Sequence, residues 1–212
     1  MFKGLILATF AMSGLLSTMS AISSDEVTKP SDLNATMYVE KLVLGSGCFW
    51  GAEKRYEALN GVLDAESGYA DGHGFKPTYR NITKLSRRFD EDNYAEVVQV
   101  TFNSNIISAK ELLQNYYESH DPTQKNRQGN DVGTQYRSGI YYHNDAQKKA
   151  ALASRTEAQK NFPVPIVTEI FEVGAFYPAK VSHQDYYRIN GQKDGYCRMV
   201  VAPKLKKLKL EK

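Results

Sequence analysis

Apolar positions change their period several times along this chain, and each change marks an element. Residues 37–44 are short, β-branched and apolar, which suits a strand. From Phe49 the spacing becomes helical. Phe49, Ala52, Tyr56 and Leu59 recur with Glu53, Lys54 and Glu57 between them, so a helix over 49–60 follows, stopped by Asn60-Gly61. Residues 62–69 alternate weakly and read as a second strand. The clearest alternation runs over 95–102, where Glu96 shares a face with Val98, Val100 and Phe102 while Val97, Gln99 and Thr101 point the other way. Ser108-Ala109-Lys110-Glu111 is a capping box opening a helix through Ser119, with Leu112, Leu113, Tyr116 and Tyr117 on its apolar face. A strand over 137–142, an Ala-rich helix over 145–160 and a strand over 165–173 complete the readable pattern.

The order β-α-β-β-α-β, with one further helix and strand, predicts an α+β fold: a two-layer α/β sandwich with a ferredoxin-like core. Two long polar stretches, 70–93 and 123–135, interrupt it, and loops of that length in a compact domain are usually functional or mobile. Beyond Pro178 the chain is polar, aromatic and turn-rich, so a loosely structured end is expected there. Lys3, an apolar run over 5–16 and small residues up to Ser24 have the form of a secretory signal peptide over 1–23, too short for a membrane span of about 20 residues. A polar arm over 24–36, one domain over 37–200 and a solvated Lys-rich tail over 201–212 follow from this division. The expected location is outside the cytoplasm, in a bacterial periplasm, with secretion or anchoring by an uncleaved N-terminal segment as the alternative. Asn34 and Asn81 head formal glycosylation acceptors, and a glycan on Asn81 would crowd Tyr79, which favours a bacterial source.

Charge adds little. The formal net charge is +3, one of it from Lys3, and no global case for nucleic acid exists. Four histidines and two distant cysteines form no metal-ligand spacing. Two cysteines in an exported chain would ordinarily form one structural disulfide.

Candidate chemistry centres on Gly45-Ser46-Gly47-Cys48-Phe49-Trp50-Gly51, a glycine-loosened strand-to-helix turn. Unpaired N–H groups and the positive end of a helix dipole should lower the Cys48 pKa. Phe49 and Trp50 beside it suit a binding wall, although a buried Cys with a core Trp fits the pattern equally well. Glu96 sits on the more apolar strand face. If it is buried, its pKa rises and it becomes a proton donor near neutral pH; if it lies at the strand's end, it simply reaches water.

Five pieces look out of place for packing alone: Gly47-Cys48-Phe49-Trp50-Gly51, Pro77-Thr78-Tyr79, Ala95-Glu96, the run Gly129-Asn130-Asp131-Val132-Gly133-Thr134-Gln135-Tyr136-Arg137-Ser138, and Gly195-Tyr196-Cys197. In order and spacing they resemble the A-type peptide-methionine sulfoxide reductases over roughly residues 38–200. The resemblance implies thiol-dependent reduction of methionine S-sulfoxide, free or in proteins, with Cys48 as nucleophile and Phe49 with Trp50 around the substrate methyl. It puts the proton donor at Glu96, the oxygen-orienting hydroxyls at Tyr79 and Tyr136, a polar pocket partner at Asp131 and the resolving thiol at Cys197. Implied too are a Cys48–Cys197 disulfide, a thioredoxin-like dithiol donor and no metal or organic cofactor. A monomer is expected. Tyr94 stands where the family usually has a His, the 81–92 loop is unusually charged, and no third cysteine follows Cys197. The rival readings are a secreted binding module stapled by its disulfide, a thiol hydrolase using His120 or His183, and a general disulfide oxidoreductase, which would more usually carry Cys-x-x-Cys.

Overall fold

The computed structural model describes residues 38–210; the expected signal peptide over 1–23 and the arm over 24–36 lie outside the described residues. Strand β1 (Val39–Ser46) leads into helix α1 (Phe49–Glu57) and strand β2 (Val62–Ala70). A single turn α2 (Tyr79–Ile82) precedes β3 (Ala95–Asn103) and helix α3 (Ala109–Ser119). A small ribbon, β4 (Arg127–Gln128) with β5 (Asp131–Val132), then precedes β6 (Ser138–Tyr142). Helix α4 (Asp145–Gln159), strands β7 (Glu169–Glu172) and β8 (Phe176–Pro178), and helices α5 (Tyr186–Asn190) and α6 (Ala202–Lys207) complete the chain.

The main sheet runs β7-β6-β1-β3-β2-β8. Its four central strands are all antiparallel neighbours, which is the split β-α-β arrangement expected from the element order. Only β6 and β7 pair in parallel, joined through α4, because a parallel pair needs a crossover long enough to hold a helix. The period-2 pattern explains the layers. Leu42, Leu44, Val98, Val100 and Phe102 face α1 and α3, where Tyr56, Leu112, Leu113 and Tyr116 close the core. Val43, Ala95, Val97 and Tyr141 form a thinner cluster on the opposite face. The Ser108 capping box forms as expected, with the Ser108 side chain accepting from the Glu111 N–H and the Glu111 carboxylate accepting from the Ser108 N–H.

Arg137 ties the loops to this frame. Its guanidinium is buried and donates to the carbonyls of Asn93 (2.9 Å) and Thr134 (3.0 Å), to the carbonyl and carboxylate of Asp71, and to Glu169 (3.1 Å). One planar fork of five donors thus fixes the end of β2, the start of β3, the 134–136 turn and the edge strand β7.

The C-terminal segment corrects the expectation of a loose end. A π-turn over Cys197–Val201 runs directly into α6. Cys197, Val201 and Leu205 are buried, and Val201 packs on α1 at Gly51, where an added Cβ would sit 3.0 Å from its methyl. The Lys residues of 204–209 read as a solvated tail because the apolar positions between them are few. Val201 and Leu205, four apart, are nevertheless enough to seat one helical face. Truncating Leu205 to Ala should therefore cost about 2 kcal/mol or more of stability, the usual price of a core leucine. Urea denaturation showing no loss would return this segment to the status of a tail.

Candidate active site

Everything in the site is set by how β1 hands over to α1. Gly47 has φ +89, a conformation that favours glycine, and a Cβ there would lie 2.7 Å from the Cβ of Gln128. The chain can therefore turn sharply under the β4–β5 ribbon and leave Cys48 at the N-cap of α1, making no side-chain capping bond. The first helical N–H, that of Phe49, points instead at β3 and donates to Oε2 of Glu96 at 3.1 Å.

Glu96 is 1 % exposed, so the alternative in which it reaches water from the strand's end is removed. Burial raises its pKa to about 8, the Phe49 N–H opposing and the Asp131 carboxylate adding to the rise. At neutral pH it is a carboxylic acid. Because Oε2 accepts the Phe49 N–H, the acid proton belongs on Oε1, and Oε1 is buried with no protein partner. A neutral acid with an unused donor is what the sequence pattern anticipated at this position.

For Cys48 the structure overturns the expected lowering. Burial and then the Glu96 carboxylate push the thiol well above its ordinary value; the Trp50 N–H and the Tyr196 hydroxyl act against them, and Asp131 raises it further. The N–H groups of the turn do bear on the sulfur as anticipated, but lost hydration and a neighbouring carboxylate outweigh them. With Glu96 protonated, the resting pair is a neutral thiol beside a neutral acid.

The aromatic residues gather more widely than expected. Phe49 is fully buried and Trp50 is 8 % exposed. Tyr79 lies parallel to both, with ring centroids 6.2 Å from Phe49 and 5.7 Å from Trp50. His183 stacks on Tyr79 at 4.5 Å, and Tyr186 lies flat on Trp50 at 3.7 Å. Trp50 is both wall and packing residue. The hydroxyls of Tyr79 and Tyr136 are pushed above their ordinary pKa by burial first and then by Glu96 and Cys48, so both phenols remain protonated donors and both lie within electrostatic reach of the acid and the thiol.

Asp131 accepts a 2.5 Å hydrogen bond from the Tyr196 hydroxyl. Tyr196, whose hydroxyl bears on the Cys48 thiol, was read in the sequence only as part of Gly195-Tyr196-Cys197, with no role of its own. Tyr186 and Asp194 were missed likewise, and His183, considered only as a partner for a thiol hydrolase, stands in the aromatic wall. Asp194 holds the Cys197 N–H at 2.8 Å and the Tyr186 hydroxyl at 3.2 Å. The signal available was the aromatic density of 183–196 next to a cysteine, which polarity obscured. Both cysteines are free thiols. Burial and Asp194 push Cys197 up to about 12. The two thiols share a neighbour in Tyr186, whose pKa is raised by burial first, then by Asp194, and further by each thiol.

The remaining candidates separate by geometry. The ring nitrogens of His120 contact the Tyr116 carbonyl and the Ser138 hydroxyl, both at 2.8 Å, and burial lowers its pKa to about 3. No nitrogen of His120 remains to serve Cys48 as a base. Tyr94, in the position of the family's usual His, is a packing residue against Phe75 and Tyr177. Among the described residues no cluster of His, Cys, Asp and Glu could hold a metal ion, and no helix is long and apolar enough to cross a membrane.

Fold and site together define an α+β protein built round a cysteine, a buried neutral acid and an aromatic enclosure. The family model for peptide methionine sulfoxide reductase matches residues 40–212. The peptide methionine sulfoxide reductase MsrA of Saccharolobus solfataricus is 45% identical over 169 residues, 80% of this chain and 92% of that protein. Among solved structures, reduced Mxr1 of Saccharomyces cerevisiae covers 76% of this chain and 93% of its own at TM-score 0.68 and 33% identity. Methionine sulfoxide reductase A of Corynebacterium diphtheriae covers 72% and 75% at TM-score 0.64 and 35% identity. The chain belongs to the A-type peptide methionine sulfoxide reductase family; it is an oxidoreductase whose substrate is methionine sulfoxide.

The opposing charge effects at Cys48 can be read directly. Alkylation of Cys48 by iodoacetamide, followed by peptide mass mapping, should accelerate with pH to beyond pH 9. In Glu96→Gln the profile should move to lower pH, because the like charge that holds the thiol protonated is gone. An unmoved profile would show that Glu96 does not reach the sulfur.

Proposed function

We propose that the chain reduces methionine S-sulfoxide, in proteins or free, by thiol chemistry at Cys48 and so repairs oxidised proteins. The observation that carries this is the Oε1 of Glu96, buried, protonated near neutral pH and without a protein partner one helical turn-start away from Cys48. A sulfoxide sulfur is electrophilic but its oxygen is a poor leaving group until protonated. Glu96 gives its proton to that oxygen, Tyr79 and Tyr136 donate to it as charge develops, and Phe49 with Trp50 enclose the methyl. The Cys48 sulfur attacks the methionine sulfur and its own proton returns to Glu96. The protonated oxygen then passes to the Cys48 sulfur as the S–O bond and the newly formed S–S bond to methionine both break, leaving methionine and Cys48 sulfenic acid, two electrons having passed from cysteine to methionine.

Cys197 then attacks the sulfenic sulfur, water leaves and a Cys48–Cys197 disulfide forms. An external thioredoxin-like dithiol supplies two electrons and two protons to restore both thiols. Cys197 starts from a buried position inside the π-turn, so this step requires that turn to open; π-turns are rare and frequent at functional sites. Export to a bacterial periplasm, supported by the basic and apolar start at 3–16, would require a dedicated dithiol donor on that side of the membrane.

The decisive assay combines the mature chain, dithiothreitol and an S-sulfoxide methionyl peptide, with loss of one oxygen followed by mass spectrometry. Cys48→Ser should be inactive, and activity surviving it would sink the mechanism. Glu96→Gln should lose about 100-fold or more in kcat/KM. In the wild type kcat/KM should fall as pH rises through about 8, where Glu96 loses its proton, and Glu96→Gln should lack that limb. Cys197→Ser should complete one turnover without forming a disulfide.

A further inference from the structure

The charged loop over 81–93 has no role in the chemistry above, yet it borders the site. Together with the 130–136 turn it encloses an open groove of about 320 Å³ lined by Lys84, Leu85, Arg88, Asn130, Asp131 and Tyr136, among others. Two of these, Asp131 and Tyr136, face both the groove and the reaction site. A peptide whose methionine side chain reaches Tyr136 and Trp50 must therefore lay its neighbouring residues along this groove, since successive residues are at most about 3.6 Å apart.

Two of the three charged residues lining the groove are cations, Lys84 and Arg88, and the third, Asp131, is turned to the Tyr196 hydroxyl. Lys84 is exposed, and no ion pair joins it or Arg88 to a carboxylate among the described residues. Arg88 is positioned by its Nε, which donates to the Val132 carbonyl at 3.1 Å, and by its Cζ over the Phe89 ring at 5.7 Å. The carboxylate that lines the groove, Asp131, is already occupied by Tyr196. Arg87, next along the loop, is different: it is paired with Asp90 at 2.7 Å. Leu85 is 84 % exposed and Phe89 71 % exposed.

We propose that this groove is a substrate subsite that selects methionine sulfoxide residues flanked by Asp or Glu, with Lys84 and Arg88 as the specificity-determining charges. The proposal rests on the reading that the chain reduces methionine sulfoxide within peptides. Leu85 covers the aliphatic part of the flanking side chain while the two cations meet its carboxylate. Such rim charges act chiefly through encounter rate and selectivity rather than through raw affinity.

Three blocked peptides carrying one central methionine S-sulfoxide test this, flanked by aspartates, by glycines or by lysines, with dithiothreitol as reductant. N-acetyl methionine S-sulfoxide amide serves as the uncharged reference. In the wild type at low salt, kcat/KM should rank aspartate above glycine above lysine, with about a threefold to tenfold span from first to last. The span should shrink in ~1 M salt, where the Debye length is about 3 Å. In Lys84→Glu the ratio of aspartate to lysine peptide, taken within the variant, should fall below one, and in Arg88→Gln it should shrink. Taking ratios within each variant cancels any general loss of activity, and the wild-type salt series stands even if a variant fails to fold. Equal rates for the three peptides, or a preference that survives Lys84→Glu, overturns the subsite while leaving the reductase reading intact. Failure to reduce any peptide or the reference compound overturns that reading and the subsite with it.

Discussion

A single hydrogen bond, from the Phe49 N–H to a carboxyl oxygen of Glu96, joins the start of α1 to the middle of the sheet, and the site depends on it. It fixes which oxygen of the buried acid accepts and so which one carries the proton. It also holds Cys48, the residue immediately before Phe49, against β3. Burying a carboxyl without satisfying it is costly, and a neutral acid needs fewer partners than a carboxylate. The fold meets that constraint by giving Glu96 one backbone donor and leaving the other oxygen without a protein partner. The high pKa of the acid and the high pKa of the thiol have the same origin, since both groups are withdrawn from water in one enclosure.

The enclosure is built by loops, and loops need an anchor. Arg137 supplies it. It spans from Asp71 to Asn93, Thr134 and Glu169, and the adjacent Tyr136 inherits its position from that clamp. Tyr79 is held differently, by a one-turn helix whose N-cap Thr78 accepts the Asn81 N–H, and by stacking on Phe49, Trp50 and His183. Hydroxyls from two separately anchored loops thus converge on the acid without relying on each other.

The C-terminal segment plays two parts. Val201 and Leu205 make it part of the core, while Cys197 occupies a π-turn, a rare helical form that is frequent at functional sites. Tyr186 lies on Trp50 and is hydrogen-bonded to Asp194, which in turn caps the Cys197 N–H. Opening the π-turn would therefore disturb the aromatic wall as well as expose the Cys197 thiol.

Much of this was legible in the residues alone. Local spacing set the α+β class, the βαββαβ order and the capping box at Ser108, and placed Glu96 on the more apolar face of its strand, because period and capping are properties of neighbours in sequence; its burial was left to the fold. The specific runs around Cys48, Glu96 and Tyr136 identified the family for a similar reason: their chemistry requires particular residues in a contiguous stretch. What sequence could not supply were the quantities that depend on everything surrounding a group. The direction of the Cys48 shift reversed because burial and Glu96, far away along the chain, outweigh the helix start beside it. The placing of Tyr186, Tyr196 and Cys197 in an ordered wall, and of Arg137 as a clamp, arises from contacts across many tens of residues that leave no periodic trace. Neighbours along the chain decided the elements and named the chemistry; water exclusion and long-range packing, which exist only once the chain has folded, decided its protonation state and its walls.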